Sequence, residues 1–231
     1  MLAAARYRSS AFTTSPRAWA FGLLGVCHYL QRLAGARPAS QARDLLTQKL
    51  LRLHEAVADD DWRWLEDRLT YDNARLSQSL IASARHGGPP EALTAGLDTL
   101  AWLVEHHKAP SGCFRPIGCH GFYIREGVRA QFDQQPVEAQ AMVAACLEAY
   151  QATEDPAWLA EARRAFEWFL GGNDLGLELY DAKSGGCRDG LQEDRINQNQ
   201  GAESTLAFLL SLAEMKLIES ALSHQRQVQA P

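Results

Sequence analysis

Apolar positions recur along this chain in two patterns, and both have the period of an α-helix. Four segments are apolar on nearly all sides, which is typical of helices buried in a protein interior: 16–34, 72–85, 136–151 and 201–218. Three segments between them carry one apolar stripe, which is typical of helices with a solvent-facing side: 39–57, 91–107 and 156–170. The alternation predicts inner and outer helices that pair as hairpins.

An internal repeat supports this arrangement. Asn73, Glu138 and Glu203 follow one another at equal intervals, each at the start of an all-round apolar segment and each behind a long polar loop. The interval is long enough for one helical hairpin and one long loop. Ser15 before Pro16 and Asp155 before Pro156 are helix-start signals, because a Ser or Asp caps and a Pro fits the first turn.

The connections between these segments are unequal in length. Links from an inner to an outer segment are short, whereas links from an outer to an inner segment are long: 58–71, 108–135 and 171–200. Long loops in a compact domain are usually functional or disordered, and these are rich in Trp, Tyr, Gly, Asp and Asn rather than in disorder-promoting residues. All three lead to the N-termini of inner helices, where we expect a cleft lined by polar side chains and helix-dipole ends.

Composition excludes several classes of protein. The chain has 231 residues, of which 46% are hydrophobic and 22% charged, with a formal charge of −5 and no basic run, so a nucleic-acid partner is not indicated. No apolar run approaches the ~20 residues that span a bilayer. Five scattered cysteines do not suggest a disulfide framework, and a reducing cytoplasm is the default location.

The predicted domain boundaries follow from the same pattern. Residues 1–14 are expected to be a poorly ordered N-terminal segment, residues 15–220 a single domain, and residues 221–231 a polar tail. The apolar stretch 18–30 behind several arginines imitates a signal peptide. The helix-start signal at Ser15 and Pro16 and the polar Cys27-His28 continuation favour a helix of the domain instead.

The first long loop combines aromatic rings with carboxylates. Trp62, Trp64 and Tyr71 offer flat apolar faces, and Asp72 and Asn73 offer hydrogen-bonding groups. Sugars are bound in this way, because their C–H faces stack on aromatic rings while their hydroxyls pair with Asp and Asn. The alternative is that the tryptophans pack the loop onto the helices and Asp72 caps the next helix.

The second long loop ends in a cluster of polar residues before a Pro-initiated helix. Asp133 and Glu138 bracket the helix start, Gln134 and Gln135 lie between them, and Tyr123 lies upstream. A Glu on an otherwise buried helix is unusual, and burial would raise its pKa toward that of a general acid. The alternative is that a first-turn Glu simply complements the helix dipole.

The third long loop is the densest in polar, turn-forming residues. Asp189, Asn197 and Asn199 precede Glu203, which repeats the position of Glu138 in the next inner helix. We therefore treat Glu138, Glu203 and Asp133 as candidate catalytic carboxylates and the other named loop residues as candidate substrate contacts. The alternatives are a ligand-free turn for the Gly-rich part and, for Glu203, a buried partner of Arg195 or Asn73.

A metal site is a weaker hypothesis. His106, His107, Cys113, Cys119 and His120 lie within a short stretch but lack the Cys-x-x-Cys and His-Glu-x-x-His spacings of zinc sites. The chain also lacks a Gly-x-Gly-x-x-Gly motif and a phosphate loop. No metal or other cofactor is predicted.

Four separated motifs resemble a known family: SPRAWAF at 15–21, WLEDRLTYDNARL at 64–76, FDQQPVEA at 132–139 and NQGAESTL at 199–206. They are similar to the helical region that follows bacterial retaining-type glycosyltransferase domains and looks like the six-hairpin glycosidases. The resemblance implies an all-α fold, an α/α toroid. Since about seven main helices make three and a half hairpins and a full ring needs twelve helices, the toroid is expected to be partial.

The resemblance also implies a carbohydrate-related role. The leading hypothesis is a domain that binds or processes a saccharide end-on over the long loops, with two carboxylates ~6.5–9.5 Å apart if it hydrolyses with inversion. The competing hypothesis is a non-catalytic structural or interaction domain, and a sugar epimerase would need a pair of histidines of which His120 alone is a candidate. Expected partners are a saccharide and either a glycosyltransferase domain or a second copy of the chain. Whether the domain is an enzyme is left open.

Overall fold

The computed structural model of the protein describes residues 15–229. Within that range it contains seven helices, in chain order: α1 Pro16–Arg32, α2 Arg37–Val57, α3 Ala74–Arg85, α4 Pro90–His106, α5 Pro136–Thr153, α6 Pro156–Glu167 and α7 Ala202–Gln229. The predicted helices are confirmed in number and order, and most of their ends agree within two residues. The segment 1–14 lies outside the described residues.

Two helix starts follow the predicted capping chemistry. The Ser15 hydroxyl accepts a hydrogen bond from the Ala18 N–H at 3.4 Å, and Asp155 Oδ1 accepts one from the Ala157 N–H at 2.9 Å. At the other end of the chain, residues 221–229 continue α7 rather than forming a tail separate from it. The apolar pattern weakens there, but the residues have good helix propensity and contain no Pro or Gly.

The helices form an inner and an outer layer. The inner helices α1, α3, α5 and α7 contact one another in chain order, and each of α1, α3 and α5 packs against the outer helix that follows it. Helix α5 lies in the middle and is buried on nearly all sides, because alanines let its neighbours approach closely: Ala139, Ala141, Ala144, Ala145 and Ala149. The architecture is that of a partial α/α ring.

The long loops are joined to one another by short antiparallel ladders. The strands are β1 Arg68–Leu69, β2 Tyr123–Ile124, β3 Tyr180–Asp181, β4 Gly186–Cys187, β5 Gly190–Leu191 and β6 Ile196–Asn197. β1 pairs with β2 and so ties the first loop to the second, and an isolated bridge from Gln134 to Leu191 ties the second to the third. The loops therefore form one layer over the N-termini of the inner helices.

Helix α7 differs from the other inner helices in having no outer helix behind it in the described part of the chain. One face packs into the core through Phe208 and Met215, while four leucines on the other side are between 44% and 72% exposed: Leu206, Leu209, Leu210 and Leu217. The incomplete ring therefore leaves an apolar flank of this inner helix exposed. None of the described helices combines the length and the hydropathy needed to cross a membrane.

A close approach of α3 and α4 depends on Gly96. A Cβ at Gly96 would lie 2.7 Å from Ile81 Cγ1 and 3.1 Å from the Ser77 carbonyl oxygen. We expect Gly96→Ala to lower the free energy of unfolding by about 1–3 kcal/mol, because the helices must separate. Gly25→Ala is the matched control, since nothing lies within 4 Å of its Cβ position and Ala raises helix propensity. Urea unfolding followed by circular dichroism measures both, and a stable Gly96→Ala variant would contradict this packing.

Candidate functional site

The centre of the loop layer is the carboxyl group of Glu138, in the first turn of α5. Its side chain is 4% exposed and accepts hydrogen bonds from the Asp72 N–H, from Asn73 Nδ2 at 3.1 Å and from the Asn73 N–H at 3.5 Å. These backbone groups stand at the start of α3, where the first N–H groups lack helical partners. Glu138 therefore caps the neighbouring inner helix, in place of the predicted cap by Asp72.

Arg17, in the first turn of α1, extends this network and was not predicted as a site residue. Its guanidinium donates to the Tyr71 carbonyl at 2.6 Å, to Glu66 Oε2 at 2.6 Å and to Asn73 Oδ1 at 3.0 Å. Its only signal in the sequence is its place in the motif at 15–21, which does not indicate these partners. The contacts connect the N-termini of α1, α3 and α5 through buried polar groups.

Burial shifts the titration of two acids in this network. Desolvation raises the pKa of Glu138 to about 7, against the opposing hydrogen bonds from the Asp72 and Asn73 N–H groups and the Asn73 amide. Desolvation also raises the pKa of Asp72, the charges of Arg75 and Arg17 lower it, and the charge of Glu203 raises it further. Asp72, Glu138 and Glu203 thus come together as a group of acids from three inner-helix N-termini.

Asp72 has a strained backbone conformation, and one of its carboxylate oxygens lacks a hydrogen-bond donor. Its φ is 52°, which is unusual for a residue other than glycine, and its residue exposure is 6%. Asp72 Oδ1 makes no hydrogen bond, although Arg75 Nε lies 3.4 Å away as an ion-pair partner. Such strain often accompanies a functional role.

Two members of the site reach solvent. Tyr71 is 54% exposed and lies 5.1 Å from the Arg17 guanidinium, which contacts its ring. Glu203 is exposed in the first turn of α7. They form the open rim beside the buried acids.

The tryptophans of the first loop lie inside the protein. Trp62 is 4% exposed and Trp64 fully buried, and both rings pack on Trp102 of α4. Tyr123 is half-buried with its ring against Trp62. This arrangement agrees with the packing alternative for the first loop. Because Trp62 and Trp64 expose no face on which a sugar could stack, these rings and that of Tyr123 position the loop instead.

The third loop caps α7 in a similar manner. Asp189 accepts hydrogen bonds from the Gly201 N–H at 2.6 Å and from Asn199 Nδ2. Desolvation acts to raise the pKa of Asp189, but hydrogen bonds from Ser204, Gly201 and Asn199 outweigh it and lower that pKa. Asn197 and Asn199 are exposed at the loop surface, while Asp189 is held as an ionised cap.

The second loop places its polar residues at different depths. Gln134 is buried, and its amide oxygen accepts from Trp168 Nε1 at 2.8 Å while its Nε2 donates to Asp174 Oδ2 at 2.6 Å. Asp133 and Gln135 are half-buried next to it. Gln134 therefore holds the loop to the helices, whereas Asp133 and Gln135 remain partly accessible.

The histidines of the second loop region have packing contacts. His106 lies against Trp102 and Tyr123, and buried His107 lies against Phe114. Burial lowers the pKa of His107 well below its usual value. Across residues 15–229, no three His, Cys, Asp or Glu side chains are grouped so as to hold a metal ion.

A concave region runs along the inner side of the ring, between α1, α3, α5 and α7. It encloses a volume of about 410 Å³ and is lined by polar side chains that the sequence analysis did not single out, among them Arg75, Gln78, Gln140, Glu148 and Glu214. The sequence signal for these residues is weak: they are polar positions that recur at helical spacing on segments that are otherwise apolar on nearly all sides. In a complete ring, further inner helices would occupy this space.

Comparison with known proteins gives structural matches alone. No protein-family model matches the chain, and no curated protein is significantly similar to it. A glycoside hydrolase family 76 mannosidase of Bacteroides thetaiotaomicron has a TM-score of 0.63 at 12% identity, with 87% of this chain and 54% of that protein covered. A family 76 α-mannanase of the same organism has a TM-score of 0.62 at 14% identity, with 90% and 58% covered.

These identities are low, so the matches establish the fold and leave the activity open. The chain spans a little over half the length of the two solved structures. The predicted fold class is confirmed: the chain has the all-α, six-hairpin glycosidase-like α/α-toroid fold, of which it forms a partial ring.

Proposed function

We propose that this chain is a carbohydrate-active α/α-toroid domain that binds a saccharide end-on, over the N-termini of α3, α5 and α7. The observation that carries the proposal is the meeting of buried Asp72, exposed Glu203 and exposed Tyr71 at one end of the ring. Tyr71 offers a flat face to a sugar ring, and the carboxylates offer acceptors to its hydroxyls. The similar structures are a mannosidase and an α-mannanase, which makes manno-oligosaccharides the first ligands to test.

If the domain is hydrolytic, we propose different roles for the three acids. Asp72, whose pKa is raised, is the better proton donor, and exposed Glu203 is the better base or nucleophile. Glu138 is closed off and hydrogen-bonded to N–H groups, so it positions the Asp72 backbone. Asp133, which is half-buried, is the remaining candidate from the sequence.

A structural or interaction domain is the second candidate function. It is favoured by Glu138 and Asp189, which both act as caps between elements, and by the burial of Trp62 and Trp64. Under this hypothesis the loop layer only joins the inner helices together. Association with a glycosyltransferase domain, a bacterial origin and a cytoplasmic location remain predictions from the sequence under either hypothesis.

Calorimetric titration with manno-, gluco- and galacto-oligosaccharides tests the proposal, with chromatography of the same mixtures to detect products. We expect Tyr71→Ala to weaken binding by about tenfold, because stacking contributes ~1 kcal/mol or more. If the wild type hydrolyses the ligand, Asp72→Asn and Glu203→Gln are each expected to lower turnover at least about a hundredfold while binding persists.

Tyr29→Ala is the matched control for Tyr71→Ala, since Tyr29 is 45% exposed on α1 and outside the loop layer. Binding without products in the wild type would support a binding domain and exclude hydrolysis of that ligand. Absence of binding to every ligand class would contradict the proposal and favour the structural domain.

A further inference from the structure

Arg75, in the first turn of α3, lies beside Asp72 and also lines the concave inner region of the ring. Arg75 Nε is 3.4 Å from Asp72 Oδ1, and both side chains are largely buried. Within the described part of the chain, each of these two buried atoms is without a hydrogen bond. A buried charge is costly unless an opposite charge compensates it, so each group depends on the other.

Two buried glutamines hold the guanidinium of Arg75 in place. Arg75 Nη1 donates to Gln78 Oε1 at 2.7 Å, one turn further along α3, and Nη2 donates to Gln140 Oε1 of α5. Each Nη group thus has its own acceptor, and Nε remains for Asp72. The planar guanidinium cannot turn away from Asp72 without breaking one of these hydrogen bonds.

We propose that Arg75 is a positioning residue of the candidate site, which fixes the Asp72 carboxyl group with Oδ1 toward the guanidinium and leaves Oδ2 to hold the proton. A guanidinium has N–H donors and no acceptor, so it pairs with the oxygen that is not protonated. This inference rests on the proposed function, in which Asp72 is the proton donor. It adds which oxygen of Asp72 faces the sugar as an acid and which residue sets that choice.

Charged groups from all four inner helices surround Asp72. Burial raises the pKa of Asp72, and the charge of Arg75 is the largest influence against it, followed by the charge of Arg17 on α1. Glu203 on α7 raises that pKa further, and Glu138 on α5 accepts a hydrogen bond from the Asp72 N–H. Removal of the Arg75 charge is therefore expected to strengthen proton binding by Asp72, in the opposite direction to the removal of Glu203.

Carbon NMR of the full chain, labelled at the aspartate carboxyl carbons, tests the inference without a sugar. Asp72→Asn identifies the Asp72 signal, and Glu138 and Glu214, whose pKa values are also raised, carry no label. We expect Arg75→Gln to raise the titration midpoint of Asp72 by about one pH unit or more, because an adjacent Arg lowers an Asp pKa by ~1–3. Arg75→Lys keeps the charge and is expected to restore most of the change.

Arg85→Gln is the matched control. Arg85 lies on the same helix, lines the same concave region and pairs with Glu148 of α5, but it is ten residues further along α3, a distance of about 15 Å. We expect the midpoint of Asp72 to be unchanged in this variant. If circular dichroism shows that Arg75→Gln does not fold, Gln140→Leu takes its place. It releases the guanidinium without removing it, and we expect a smaller rise of the same midpoint.

A hydrolysed saccharide provides a second measurement. In Arg75→Gln the basic limb of the pH profile of kcat/KM is expected to move upward with the Asp72 midpoint, because the acid stays protonated to higher pH. A purely structural role would lower kcat/KM equally at every pH. Equal Asp72 midpoints in the wild type and in Arg75→Gln would overturn the inference, whatever the sugar result. A raised midpoint without binding of any saccharide would support the placement of Asp72 by Arg75 and contradict the proposed function alone.

Discussion

Replacing Glu138 by alanine is expected to lower the free energy of unfolding by about 3 kcal/mol at pH 5. The change leaves the Asp72 N–H and the Asn73 amide without their acceptor inside the protein, and each lost partner of this kind costs ~1–3 kcal/mol. It also leaves a cavity beside the largely buried first turn of α5. At pH 5 the carboxyl group is largely protonated in the folded protein, so relief of a buried charge does not offset the loss.

Glu91→Ala is the control for this variant. Glu91 also lies in the first turn of a helix, α4, but it is exposed. We expect it to lose only the interaction with the helix dipole, which is worth ~0.3–1 kcal/mol. Urea unfolding at pH 5 compares the two variants. Equal losses would mean that Glu138 contributes through the helix dipole alone, against the capping role derived from its contacts.

The stability of the wild type is expected to fall as the pH rises from 4.5 to about 7, by about 3 kcal/mol at most. The sign follows from Glu138, whose pKa is about 7 in the folded protein and near 4.5 in the unfolded chain. Between these values the folded protein binds more protons than the unfolded chain. The contribution of Glu138 to the free energy of unfolding is therefore complete below pH 4.5 and lost above about pH 7. The raised pKa of Asp72 changes stability in the same direction.

Glu138→Gln tests this assignment because it keeps the shape of the side chain but cannot ionise. We expect the variant to lose most of the decline between pH 4.5 and 7, measured by urea unfolding at several pH values. Ionised acids with lowered pKa, such as Asp189, change stability only at lower pH, as protonation removes their contribution. A pH profile in the variant equal to that of the wild type would contradict a raised pKa for Glu138.

The sequence predicted the end of the fold at which the candidate acids meet better than it predicted the environment of each residue. Glu138 and Glu203 occupy equivalent positions of the internal repeat, and Asp72 directly precedes Asn73, the third repeat position, so all three acids lie at the starts of inner helices. Burial could not be predicted in the same way. Trp62 and Trp64 have the composition of a sugar platform, but their rings pack on Trp102, which belongs to a different element, α4.

Arg17 illustrates why such roles depend on tertiary structure. Its partners Glu66, Tyr71 and Asn73 are far away in the sequence, and a helix-start arginine has no local pattern that identifies them. The same holds for Glu138, whose hydrogen-bond partners are the N–H groups of another helix. Sequence spacing places a side chain on a helix face, whereas the identity of its partner depends on how the helices pack.

Local sequence patterns were sufficient to predict the seven helices, their order, the two layers and the position of the loops. These features follow from periodicity, capping residues and Pro and Gly positions, which act over a few residues. The packed structure was needed to show which acid is buried, which is open to solvent and which helix face lacks a partner. Desolvation and long-range contacts control those properties, and they exist only after α1, α3, α5 and α7 have assembled.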